Sequence, residues 1–205
     1  MANKVITTME NPAKLTLSAT ELKKVMDTDF FLTKQTIIAS VYELFKKQAS
    51  VLTELLPMYD GLLAFFPLAG VPKIYKGENY KGLPYVMMDY PRKFEGNDIF
   101  AVRTFFWWGN HFSIHLLLKG VYKEALQSTV ERNIKNSTGI YTCVNSNAWQ
   151  YNFEEDNYVL CKDVTAISGN TDFLKFGIKI PLAQWNSVEP LFAAGYHAIG
   201  ALVTS

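Results

Sequence analysis

The chain predicts a single α+β domain: a mostly antiparallel, twisted sheet with a long N-terminal helix and the later helices packed mainly on one face. Three observations carry this. Apolar residues recur at helical spacing over residues 29–56, and an aromatic, β-branched stretch with a turn signal at its centre fills 83–120. An almost uncharged helical pattern closes the chain. At 205 residues with 49% hydrophobic content, the chain has enough apolar surface for one sizeable core. A helical part of about 18–66 precedes a sheet-rich part of about 73–205.

The first element is announced by Ser18-Ala19-Thr20-Glu21. This has the form of a capping box, in which the Ser18 hydroxyl and the Glu21 carboxylate satisfy amides at a helix start. A short helix to about Met26 follows. A second begins near Asp29 and runs to about Leu56, with Phe31, Ile38, Val41, Phe45, Leu52 and Leu55 on its apolar stripe. At ~1.5 Å per residue it is ~40 Å long, and Pro57 ends it. Residues 58–66 have room for a further turn or two of helix before Pro67.

Residues 84–90 and 98–108 read as strands separated by a polar loop, 91–97. Gly109-Asn110 supplies a two-residue hairpin turn, because both residue types tolerate positive φ. Residues 111–118 return as a third strand, Gly120 breaks it, and 121–134 is helical through Tyr122, Leu126, Val130 and Ile134. Residues 139–144, 149–153, 158–161 and 173–180 have the β-branched and aromatic content of strands. A last helix starts near Asn186 or Ser187, with Pro190 in its first turn. The order of strands then helix recurs loosely, without residue-level similarity between the halves.

The segment Phe105 to His115 holds two of the four tryptophans and two of the three histidines. A two-residue turn at 109–110 predicts Trp108 opposite His111, Phe106 opposite Ser113 and Thr104 opposite His115. The alternate face then carries Arg103, Phe105, Trp107, Phe112, Ile114 and Leu116 as the core side. Aromatic walls with a few imidazole and hydroxyl groups suit a small-molecule site. Tyr85, Arg103, Trp108, His111, Ser113 and His115 are the candidate contacts, with Trp149 a more distant one. Arg103 is one of only three arginines, and a guanidinium among aromatic rings requires an anionic partner. Asp89 on the preceding strand is the structural candidate, and an anionic ligand is the alternative.

Other chemistry is thin. On a strand, His111 and His115 lie ~13 Å apart, too far to share a zinc ion that bonds imidazole at ~2.1 Å. No metal or cofactor is expected, and the glycines match no phosphate-binding loop. Cys143 and Cys161 lack the spacing of a redox or zinc pair, and Glu154-Glu155-Asp156 reads as a solvated acidic turn. A formal charge of +1 gives no basic footprint for nucleic acid. No uninterrupted apolar run is long enough for a membrane span, and residues 1–11 lack a signal-peptide core. These features point to a cytoplasmic protein with reduced thiols.

Three functional classes therefore stand: a binding module for a partly aromatic or anionic small molecule, a homodimeric interaction protein, and an enzyme. The enzyme would use His111 or His115 with Ser113 or Cys161. The dimer would form through residues 187–203, where Val188, Leu191, Phe192, Gly195, Ile199 and Leu202 share one apolar face and small residues occupy the others.

Overall fold

The computed structural model describes residues 16–59, 70–161 and 172–204. Its contacts fall into two units, Met1–Ala39 and Ser40–Ser205. In the first unit, α1 (Ala19–Val25) starts at the expected capping box: the Glu21 amide donates to the Ser18 hydroxyl at 3.3 Å and the Ser18 amide to the Glu21 carboxylate at 2.7 Å. Asp27 caps the next helix, α2 (Thr28–Leu55), by accepting the Phe30 amide at 2.9 Å. The apolar stripe of α2 is buried at Ile38, Val41, Phe45 and Leu52. Phe31, expected on the same face, is 49% exposed instead. A 3₁₀ turn, Leu56–Tyr59, follows α2; the helical turn expected over 60–66 lies outside the described residues.

The second unit is built on a seven-stranded antiparallel sheet. The strands are β1 (Lys73–Tyr80), β2 (Leu83–Glu95), β3 (Asp98–Trp107), β4 (His111–Lys119), β5 (Tyr141–Cys143), β6 (Tyr158–Leu160) and β7 (Phe173–Pro181). Their spatial order is β1-β2-β3-β4-β7-β5-β6, so β1 and β6 are the edges and β7 returns to lie against β4. Helices α3 (Val121–Asn133) and α4 (Val188–Val203) pack on one face, as the sequence predicts. Phe192 of α4 meets both Phe45 and Phe112, and the fully buried Tyr196 hydroxyl bonds the Thr104 hydroxyl at 2.8 Å. Asn133 of α3 donates to the carbonyls of Ala201, Leu202 and Thr204, satisfying the last turn of α4. Among the described residues no helix is long and apolar enough to cross a membrane.

Several strand boundaries differ from expectation. β1 is an added strand, whose alternating polar residues conceal its period. It joins β2 through a two-residue turn in which Lys81 and Gly82 both have positive φ. The predicted polar loop 91–97 is mostly strand: β2 passes a register shift between Asp89 and Arg92, at a cis Tyr90–Pro91 bond, and continues to Glu95. Residues 149–153 form no strand, because the segment crosses a sheet face instead of pairing with a neighbour.

The hairpin register is the main correction. Only Gly109 of the turn has positive φ, and the Asn110 amide donates to the Trp107 carbonyl at 3.0 Å. The turn therefore contains Trp108, Gly109 and Asn110, and the pairs are Trp107 with His111, Phe105 with Ser113, and Arg103 with His115. A one-residue slip moves every side chain to the opposite face. Phe112, Ile114 and Leu116 lie under the helices, whereas Arg103, Phe105 and Trp107 share the other face with both histidines.

Candidate functional site

The antiparallel pairing collects polar side chains on the sheet face away from α3 and α4. Across four strands, β2 contributes Asp89, β3 Arg103, β4 His111, Ser113 and His115, and β7 Lys175. All six are buried. The irregular segment 144–157 covers them, bringing Trp149, Tyr151 and Phe153 onto the face.

Arg103 is anchored by the expected partner. Its Nε donates to Asp89 Oδ1 at 2.6 Å and its Nη2 to Oδ2 at 2.7 Å, a two-pronged pair with side-chain exposures of 10% and 5%. Nη2 also donates to the Tyr75 hydroxyl at 3.1 Å, and Nη1 to the Tyr151 hydroxyl. Burial acts to lower the arginine's pKa, but the Asp89 hydrogen bond together with the charge interactions with Tyr151, Asp89 and Tyr75 outweighs it, and the guanidinium stays charged. Burial pushes the Tyr75 phenol up to about 12, and raises Tyr151 as well, so both serve as neutral hydrogen-bonding groups.

His115 sits at the centre of a second chain of contacts. Its Nε2 lies 2.8 Å from the Ser113 hydroxyl and its Nδ1 2.8 Å from the Tyr158 hydroxyl. Burial, then the nearby Lys175, lowers its pKa well below the usual imidazole value, so the ring is neutral. The backbone opposite it is glycine, and a Cβ on Gly177 would stand 2.9 Å from the Phe153 ring and 3.1 Å from His115 Nδ1. His111 is pushed down to about 4 by burial and by Lys179, with a backbone hydrogen bond at Tyr151 acting in the opposite sense. Its Nε2 is buried without a hydrogen-bond partner among the described residues.

Lys175 is the least expected member. Its residue exposure is 2%, and its ammonium donates to the Ala148 carbonyl at 2.7 Å and the Gln150 carbonyl at 2.5 Å. It also lies 4.1 Å from the centre of the Tyr151 ring. No carboxylate pairs with it among the described residues, and burial brings its pKa down to about 7. A cavity of about 10 Å³ adjoins Lys175, Arg103, His115, Trp149 and Tyr151, room for about one water molecule.

The sequence-predicted residues divide as follows. Arg103, His111, Ser113 and His115 share the buried face, and Tyr85 joins them through ring contact with Phe105. Trp108 does not: it lies in the turn and its ring contacts Phe106, which belongs to the helix-covered face. Trp149, distant in sequence, is near in space, 5.5 Å from the Arg103 guanidinium and stacked on Phe94. Tyr75, Tyr151, Tyr158 and Lys175 were missed. The one available signal was Lys175 itself, which with Lys179 interrupts the otherwise apolar run Phe173–Ile180.

A hydroxyl at 2.8 Å from a neutral imidazole is the spacing of a nucleophile and its base. Ser113 is 0% exposed, however, so no reacting carbonyl reaches it in this structure. No group of three metal-ligating residues is assembled among the described residues. Compared with known family models, curated proteins and solved structures, the chain has no match.

Proposed function

We propose that the protein binds a small anionic molecule on this sheet face, beneath residues 144–157. Lys175 and Arg103 supply positive charge, His115 and Tyr151 hydrogen-bonding groups, and Trp149 a ring at the rim. The observation that carries this reading is Lys175, a buried amine held by two carbonyls and the Tyr151 ring, with no carboxylate beside it among the described residues. Two cations and one carboxylate, Asp89, occupy the layer, so a ligand bearing negative charge would complete the balance. The cavity in the closed state is about 10 Å³, so entry requires the cover to lift. Segment 144–157 is suited to this because it is not a sheet strand, and its Trp149 is 46% exposed.

An anion beside Lys175 would favour its charged form and draw in a proton when binding occurs above pH 7. The test is a thermal-shift panel of small phosphates and carboxylates at pH 7 and pH 8.5, with Trp149 fluorescence as a second signal. The expected result is a stabilising anion whose shift disappears in Lys175→Met and weakens at the higher pH. An anion panel without a hit, or a hit insensitive to Lys175→Met, would overturn the proposal.

A further inference from the structure

The first unit carries an independent feature. Seven large apolar side chains between Leu17 and Leu32 are about half exposed or more: Leu17, Leu22, Val25, Met26, Phe30, Phe31 and Leu32. No residue from Thr16 to Ile37 is buried. Phe30, Phe31 and Leu32 are consecutive on α2, so at ~100° per residue they occupy about 200° of its circumference. One flat docking face cannot cover all three. Two helices meeting at an elbow, each wrapped by another pair, can.

We infer that the α1–α2 elbow is a self-association surface and that its partner is the same elbow of a second copy of this chain. Three observations select that occupant. A groove of about 430 Å³ is lined by residues of both helices and their junction, Lys24, Val25, Asp27, Phe30 and Phe31, two phenyl rings among them. In a two-fold arrangement the rings of each copy enter the groove of the other. The charges are also self-complementary. Residues 17–36 hold Lys23, Lys24 and Lys34 against Glu21, Asp27 and Asp29, a sum of zero, with the paired lysines on α1 and the aspartates at the start of α2. Such a patch lacks the cationic excess that draws a helix to an anionic membrane. Finally, seven such side chains at these exposures offer on the order of 700 Å² per copy, close to the ~800 Å² that a standard interface takes from each partner. This surface uses other residues than the C-terminal helix, whose exposed positions are Glu189, Pro190, Ala194, His197 and Ala201.

The experiment is sedimentation equilibrium of the full chain against three variants, Phe31→Glu, Lys24→Glu and Asp29→Lys, each checked by circular dichroism for an unchanged fold. All three positions are exposed, and the Asp27 cap is left intact. The expected result is a wild-type dimer whose dissociation constant rises at least a hundredfold in Phe31→Glu and about tenfold in each charge variant. Mixing Lys24→Glu with Asp29→Lys should restore association as a heterodimer. A wild-type monomer at all concentrations would overturn the inference. So would a dimer indifferent to these variants, charge variants that fail to complement when mixed, or a monomer that floats with phosphatidylcholine vesicles.

Discussion

Replacing Lys175 with methionine removes one titrating group from the sheet interior while keeping an unbranched stem of similar length. In the folded chain the Lys175 amine titrates near 7, against 10.5 in an unfolded chain, because burial disfavours its charge. Between those values the unfolded chain holds a proton that the folded chain lacks. Stability therefore climbs with pH, by up to about 1.4 kcal/mol per unit for one proton. From pH 7, where the folded amine is half protonated, to pH 9 the wild type should gain about 2 kcal/mol relative to Lys175→Met. The absolute stability of the variant is a poor measure, because the Ala148 and Gln150 carbonyls lose their donor and offset the relief of desolvation. Urea denaturation at pH 6, 7, 8 and 9 gives the slope directly, and the difference between proteins cancels the other titrating groups, including the buried Cys143 thiol. Parallel curves would mean that the amine keeps its ordinary affinity for protons in the folded chain. Burial would then not govern the charge of Lys175, and proton uptake on anion binding would not be expected.

Asp89→Asn leaves the Arg103 guanidinium buried without a countercharge and should cost about 3–5 kcal/mol, read as a lower urea midpoint with unchanged slope. For His111 the folded pKa is about 4, below the unfolded 6.5, so stability is lost as pH falls from 6.5 through 4. His111→Gln should flatten that acid limb by about 2 kcal/mol at pH 4.5, and a histidine NMR resonance still neutral at pH 5 is the direct check. Gly177→Ala places a methyl against Phe153 and His115 and should destabilise by about 1–3 kcal/mol in thermal melts. A melting temperature within a degree of wild type would show that the layer has slack there.

Much of the architecture was readable because local chemistry and tertiary packing agree. The capping box at Ser18, the stripe Ile38-Val41-Phe45-Leu52 and the strand-to-helix break at Gly120 each follow from a short-range rule. The structure keeps them all. The pairing of Arg103 with Asp89 was also accessible, since an interior guanidinium has few options. The hairpin register was not. Gly109-Asn110 suits a two-residue turn, yet asparagine tolerates positive φ without requiring it, and here only the glycine adopts it. Strands buried on both faces offer no alternation to correct the error: every residue from Ile99 to Trp107 is buried. Tyr151 escaped notice because its segment approaches the site through irregular backbone, for which periodicity gives no signal; Tyr158 lies on the expected strand β6, but its place beside His115 depends on long-range strand pairing. Lys175 was hidden differently, since its surroundings mark a strand while its charge suggests the surface.

The two margins of the sheet bear on how crowded solutions of this protein behave. β1 presents Lys73, Lys76 and Glu78 along its length, and β6, at the opposite margin, is three residues long. Charged side chains and short rails both discourage the addition of a foreign strand. The aromatic interior, otherwise rich in the residues that fibrils favour, is thus screened from cross-molecule zippering.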